Sequence, residues 1–413
     1  MKIAVIDHVG NHGGGSRVVR LLLPALMKLD PELEMTYYGN PAAIRREGIE
    51  SEFAAAGIRV LALDSLRLRN SPILGSGYLK RAIELIQTQL FSKFPWLPVR
   101  LSGNVTREIS CRVKGYDIAF YPWPFLLKFP ELSCPSVGLF HDFNYKYYFG
   151  GSFVFSPSQR AQLEEEMPAW LERSIPVVST KFMATELQSF YPTVTRPPHV
   201  VHLAPLSVNQ VDRTQAREAV RQFGITTQYL LYPTHLCSHK NIGPLIAAFA
   251  LLRQQGRELA LVLTGAGTDE VRGYANAFGV RLDKQCGEVR GLGYVTNHQM
   301  DCLIQCAAVM VSSSLYEAGN GPGLDGWGRG IPVAMSNIPA FLEHIHVSGV
   351  KAKVFDPRSP EDIADKIASI LDNPERARAD AASSLEALGR LTWEQTAEAY
   401  LKVFKNAVHH TAG

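Results

Sequence analysis

The sequence predicts an α/β protein built from two doubly wound parallel sheets, and three observations carry that expectation. At 413 residues the chain exceeds what one compact core usually organises. Short apolar, β-branched runs alternate with longer amphipathic stretches, the pattern of strands covered by helices on both faces. A polar stretch and then a helical pattern, PLSVNQVDRTQAREAVRQFG, splits these runs into two sets, which puts the domain boundary near residues 205 to 225. The expected division is 1–205, 206–388, and a terminal helix with its tail, 389–413.

Strands are expected in the first set at 2 to 8, 34 to 40, 59 to 64, 116 to 122, 136 to 142, 175 to 180 and 199 to 204. The second set contributes 229 to 234, 260 to 265, 309 to 314 and 331 to 337. LTWEQTAEAYLKVFKNAV (391 to 408) is strongly amphipathic and, as the last element, is expected to pack back across the first domain.

Composition narrows the function. Hydrophobic residues make up 46% and charged residues 20%, ordinary for globular protein, and a net charge of +3 argues against nucleic acid. The six cysteines, Cys111, Cys134, Cys237, Cys286, Cys302 and Cys306, form no CxxC pair and read as reduced thiols of a cytoplasmic protein. Cys302 and Cys306 share a helical spacing, which reads as packing. MKIAVIDHVG passes straight into a strand pattern, so no signal peptide is expected, and no apolar run reaches about 18 residues. Between 79 and 103, cationic residues alternate with large apolar ones. That segment reads either as a core-facing helix with a Pro-rich loop or as a membrane-surface contact.

Four stretches carry chemistry. VGNHGGGSR (9 to 17) follows a strand and opens a helix, where backbone N–H groups receive phosphate, and Gly13, Gly14 and Gly15 permit close approach. A dinucleotide fingerprint would need another glycine where Val18 stands, and strand two ends YYGN without a ribose-binding acid, so NAD is not expected. A plain tight turn stays open there. In LLYPTHLCSHKN, Lys240 offers a point charge for a diphosphate at a strand-to-helix turn, with His239 and Asn241 beside it. His141 and Asp142 end an apolar strand. A histidine so placed is ordinarily satisfied by the backbone, but in a two-domain protein it lines the cleft.

EAGNGPGLD (317 to 325) brackets a Gly/Pro-rich turn with two carboxylates. A helix starting near Pro322 would present the N–H groups of Gly321, Gly323 and Leu324 to an anion. Asp325 can accept both hydroxyls of a ribose diol, and Glu317 would point into the cleft.

Together these residues resemble family 4 glycosyltransferases, retaining enzymes of the GT-B fold in the glycosyl transferases group 1. That family carries E-x7-E with a Gly/Pro-rich interior, then a helix and a G-x-P-V strand. Here Glu317, AGNGPGL, Asp325 and GIPV at 330 to 333 correspond. The His-Lys-Asn at 239 to 241, LVLTGAG (261 to 267), GLGYV (291 to 295) and the terminal helix bearing Trp393 are also similar, while the first domain matches only through its Gly-rich loop and His141. Two departures stand out. Asp325 replaces a Glu, shortening its reach by one methylene, and Thr234 and His235 stand where many members have Arg.

The resemblance implies transfer of a hexose such as mannose or glucose from a UDP- or GDP-linked donor to a hydroxyl of a saccharide or lipid-linked acceptor, with retained configuration. Bacterial surface polysaccharide biosynthesis is the implied setting, in the cytoplasm or on the inner face of the plasma membrane. Lys240 would neutralise the leaving diphosphate, Asp325 hold the ribose and Glu317 contact the sugar. His141 would lie near the reacting sugar, and Gly14 and Gly15 near the phosphates. His235, His239, Asn241, Gly265, Asn320, Gly321, Pro322, Gly323 and Leu324 complete the implied donor site. No metal or other cofactor is expected if Lys240 and helix dipoles supply the positive charge. Glu317 is not assigned as a nucleophile, because same-face attack is the mode attributed to the family. A nucleotide-sugar epimerase of the same fold and a non-catalytic nucleotide-sugar-binding protein stay open as alternatives.

Overall fold

The computed structural model describes residues 1–9, 14–66, 102–149, 155–206, 211–273 and 288–411. Gly13, Cys286 and residues 79–101 of the cationic-apolar segment lie outside the described residues.

Two all-parallel sheets form. The first joins β1 (Lys2–Asp7), β2 (Glu34–Gly39), β3 (Arg59–Ala62), β4 (Ile118–Tyr121), β5 (Ser136–Leu139), β6 (Ile175–Val178) and β7 (His199–Val200) in the order β3-β2-β1-β4-β5-β6-β7. The second joins β8 (Gln228–Pro233), β9 (Leu259–Thr264), β10 (Glu288–Gly291), β11 (Val309–Ser312), β12 (Val333–Ser336) and β13 (Lys353–Phe355) in the order β10-β9-β8-β11-β12-β13. Strand order therefore reverses between β1 and β4 and again between β8 and β11. In open α/β sheets the crevice at such a reversal, outside the carboxyl ends of the strands, is where ligands bind.

The strands are apolar on both faces because helices cover both. Ile3, Ala4, Val5 and Ile6 of β1 are all fully buried, as are Leu230 and Leu231 of β8. Helix starts are set locally. Ser156 and Gln159 form a reciprocal capping box before helix Pro157–Arg173, and Thr296 and Gln299 do the same before Asn297–Cys306. Two strands beyond the expected set appear, β10 and β13. Both are short and begin on a charged residue, Glu288 and Lys353, which hides their apolar signal.

One apolar cluster runs through both domains, from Val5 and Phe120 through Leu203 and Leu324 to Leu231, Met310 and Trp327. Polar contacts weld the same seam. Glu343 of the second domain accepts the backbone N–H groups of Lys181 and Phe182 at 2.6 and 2.8 Å, and so caps helix Lys181–Phe190 of the first. The terminal helix, Trp393–Thr411, crosses back as expected and packs on helix Gly14–Leu29. Its Tyr400 and Phe404 rings lie 5.6 and 5.3 Å from Phe120 of β4, and the Trp393 indole donates to the Pro205 carbonyl at 2.8 Å. No helix among the described residues is long and apolar enough to cross a membrane.

Phe404→Ala should lower unfolding free energy by about 3–5 kcal/mol, because a fully buried ring is lost where no neighbour can collapse freely. Chemical denaturation followed by tryptophan fluorescence measures it, and a loss under about 1 kcal/mol would deny the crossing helix its role in the first domain's core.

Candidate active site

The reversal point of the second sheet supplies a cation and a carboxylate. The turn after β8 lies against the turn after β9, with Thr234 N–H donating to Thr264 O at 2.7 Å. Gly265 permits this approach, since a Cβ there would sit 1.8 Å from the Thr234 carbonyl oxygen. The turn after β11 is tied to the same place: Leu315 N–H donates to His239 O at 2.7 Å, and the Ser313 hydroxyl to Lys240 O at 3.1 Å.

These backbone ties bring the Lys240 ammonium into direct contact with Glu317 Oε1. Ser314 Oγ donates to that same carboxylate oxygen at 2.6 Å, and the Tyr232 hydroxyl lies 2.7 Å from Ser314 Oγ. Burial acts to strip Lys240 of its proton, but the charge of Glu317 outweighs it and holds the ammonium's pKa above the usual value. Lys240 is therefore a cation at neutral pH.

The first sheet faces this pair with Asp142, just beyond β5 and next in sequence to His141. The His141 ring packs on Trp123 at 4.9 Å. Asp142 is pushed up to about 6, chiefly by burial, with the Glu317 charge adding to the rise and the Asn144 N–H and Lys240 opposing it. That mutual influence puts Asp142 across the cleft from Lys240 and Glu317. Asp142 was visible in the sequence as the partner in a His-Asp pair, but only the structure brings it to the ion pair.

Glu317 is held from both sides by the first domain. The Tyr316 hydroxyl accepts Phe143 N–H at 3.1 Å, and its ring lies 4.9 Å from that of Tyr147. The Ala318 carbonyl accepts hydroxyls from Ser179 and Thr180, each at 3.1 Å. Tyr316 was not singled out in the sequence, where an aromatic before an acid carries no distinctive spacing.

The donor turn differs from its expected form. The helix does start beside Pro322, as Gly321–Trp327, but Asn320 is fully buried as its N-cap. Its side chain takes the Gly323 N–H at 3.1 Å and its carbonyl the Leu324 N–H at 2.8 Å, so two of the three expected anion donors are already engaged. Pro322 has no N–H, which leaves Gly321. Gly323 is small because a Cβ would meet the Asn320 side chain at 2.4 Å. The amide of Asn241 donates to Pro357 O at 2.6 Å, and the Gly265 N–H to Gly293 O at 2.7 Å, so these two also serve the scaffold.

Asp325 is 2% exposed. Its Oδ1 accepts Leu206 N–H at 2.7 Å and its Oδ2 lies 3.4 Å from Arg17 Nη1. The short Asp side chain thus contacts both domains. Arg17 escaped the sequence reading because it is one of three basic residues on its helix, with Arg20 and Lys28, and nothing in its spacing sets it apart. Its contact sets the start of helix Gly14–Leu29, and with it Gly14 and Gly15, against the second domain. His235 is exposed and His239 buried. Burial first, then Lys240, pulls the His239 pKa down to about 2, so that imidazole is neutral near pH 7.

Two facing parallel-sheet domains with a cleft at both reversal points, closed by a returning C-terminal helix, define a GT-B protein. Residues 215–383 match the family model for glycosyl transferases group 1. A 179-residue stretch is 30% identical to O-antigen chain mannosyltransferase B of Escherichia coli, spanning 42% of this chain and 45% of that protein. The fold is shared over nearly the whole chain. The structure of Anabaena HepE in complex with UDP-glucose is 13% identical with a TM-score of 0.68, covering 98% of this chain and 100% of that one. Sucrose-phosphate synthase from Thermosynechococcus elongatus is 16% identical with a TM-score of 0.67 over 100% of both chains. WaaG, a glycosyltransferase involved in lipopolysaccharide biosynthesis, is 15% identical with a TM-score of 0.64, covering 98% of this chain and 99% of that one.

Because the folded pKa of Asp142, about 6, exceeds the ordinary 3.8, the native state keeps a proton that the unfolded chain has already lost. Stability should therefore fall as pH rises from about 4 to about 6. Asp142→Asn should flatten that decline and, at pH 7, stabilise the protein by up to about 3 kcal/mol. Urea denaturation at stepped pH checks this, and parallel wild-type and variant curves would refute it.

Proposed function

We propose that the protein is a retaining family 4 glycosyltransferase that moves a hexose, mannose or glucose, from a UDP- or GDP-linked donor to a hydroxyl of a saccharide or lipid-linked acceptor. The observation that carries this reading is the Lys240–Glu317 pair at the reversal point of the second sheet, faced by Asp142 from the first. A cation beside a carboxylate suits a ligand with a diphosphate at one end and sugar hydroxyls at the other. The relatives support the same class: one HepE structure contains UDP-glucose, and the E. coli relative is a chain mannosyltransferase. Surface polysaccharide is accordingly the acceptor class we favour, with peripheral contact at the inner membrane face through the cationic-apolar segment 79–103.

In the reaction, the bond from the anomeric carbon to the diphosphate oxygen breaks while the acceptor oxygen bonds to that carbon from the same face and passes its proton to the departing diphosphate oxygen. Charge grows on the departing diphosphate. Lys240 is positioned to take that charge, and the N-terminus of helix Gly14–Leu29 offers backbone N–H groups to the phosphates. Glu317, released in part from Lys240, accepts hydroxyl hydrogens from the sugar and fixes its orientation. Asp325 reaches a ribose only if its contact with Arg17 yields.

A panel of UDP- and GDP-sugars read by thermal shift tests the proposal, since binding to the folded state raises Tm by mass action. At least one donor should shift Tm and support transfer to a saccharide acceptor. Lys240→Ala should lower kcat by roughly 100-fold or more. No shift with any nucleotide sugar would sink the reading.

A further inference from the structure

The expectation of a metal-free site assumes that Lys240 and helix dipoles meet the charge of a phosphorylated ligand. In the structure Lys240 is already neutralised by Glu317, Arg17 faces Asp325, and the Gly323 and Leu324 N–H groups go to Asn320. Next to Lys240 stand His235 and His239, which the family resemblance places at the donor site, and Cys237, which it does not use. Their ligand atoms all lie within 4.8 Å of one another. We propose that His235, Cys237 and His239 form a binding site for a single borderline-soft divalent cation of the zinc type, with a fourth position left open to solvent or a phosphate oxygen.

The local backbone explains the convergence. Cys237 is extended, with φ −148° and ψ 147°, and in extended chain residues two apart point to the same side. The helical turn Ser238–Lys240 then curls His239 back toward them. Cys237 Sγ and His239 Nδ1 are 3.2 Å apart, and the two imidazole centroids 5.6 Å apart. Zinc–sulfur and zinc–nitrogen bonds of about 2.3 and about 2.0 Å put tetrahedral ligand atoms about 3.3–3.6 Å from each other. One pair is therefore at ligating distance, and His235, which is exposed, closes the rest by side-chain rotation.

The chemistry is selective. Metal binds the neutral imidazole and the thiolate. The thiol gives its proton to solvent as the sulfur–metal bond forms, leaving a site of net charge +1 beside the cleft. A thiolate with two imidazoles favours zinc-like ions and rejects magnesium, which takes oxygen ligands. Three protein ligands with one open position are the arrangement of zinc sites that engage a further ligand.

The test is metal binding by the full-length protein, so it stands or falls apart from sugar transfer. The metal-stripped protein is titrated with Co2+ and followed by absorption. Wild type should bind one ion per chain with a sulfur-to-cobalt charge-transfer band that Zn2+ displaces and excess Mg2+ does not. Cys237→Ser should lose the band, and His235→Ala, at an exposed position tolerant of change, should weaken affinity at least about tenfold. Cys111→Ser, an exposed cysteine on a helix of the first domain, should behave as wild type. Circular dichroism confirms that each variant is folded. Absence of a sulfur-linked band in wild type, or its persistence in Cys237→Ser, overturns the proposal.

Discussion

The contact between Lys240 and Glu317 is the constraint on which the cleft depends. Two charges lie largely out of solvent, and removing either would strand the other at a cost of about 3–5 kcal/mol. The surroundings are built to hold both. Ser314 and, through it, Tyr232 orient the carboxylate, while backbone bonds from Leu315 and Ser313 hold the Lys240 turn. The pair also depends on the other domain, because Tyr316 and Ala318, on either side of Glu317, bond to Phe143, Ser179 and Thr180. Shifting the domains would drag the carboxylate off its cation. Such sites trade stability for preorganisation, and the raised pKa of Asp142 opposite is another sign of that trade.

Domain movement is thereby restricted at several places. Interfaces between domains of one chain are usually polar and mobile. Here the shared apolar cluster, the capping of helix Lys181–Phe190 by Glu343, and the Arg17–Asp325 contact all span the seam. Arg17–Asp325 is the weakest of these by geometry, at 3.4 Å. It is the contact best suited to yield.

Much of the fold was legible because parallel strands covered on both faces need unbroken apolar runs. KIAVID and LALVLT can hardly be anything else. EVRG and KVF escape because a sheet's outer strands tolerate charge and brevity. The positions of Lys240 and Glu317 were also legible, since each sits in a turn of unusual composition after a buried strand. What could not be read was how polar groups divide between scaffold and cleft. Asn320 looks like a ligand-facing residue, yet a helix that begins in a buried turn must satisfy its own N–H groups first, and Asn320 is the residue that does so. Asp325 similarly shows its partner, Arg17, only when residues 308 positions apart are brought together.

The terminal helix imposes an order on biogenesis. Phe120 of β4 is covered by Tyr400 and Phe404, residues the ribosome adds after nearly every other part of the chain. Until that helix emerges, the first domain has its strands but lacks part of its lid, with apolar surface open to water. Domains usually mature as units in the order they are made. This one cannot: its first sheet is covered by a helix made only after the second sheet. A nascent chain stalled before Trp393 should therefore be a client for chaperones, even though both of its sheets have already been synthesised.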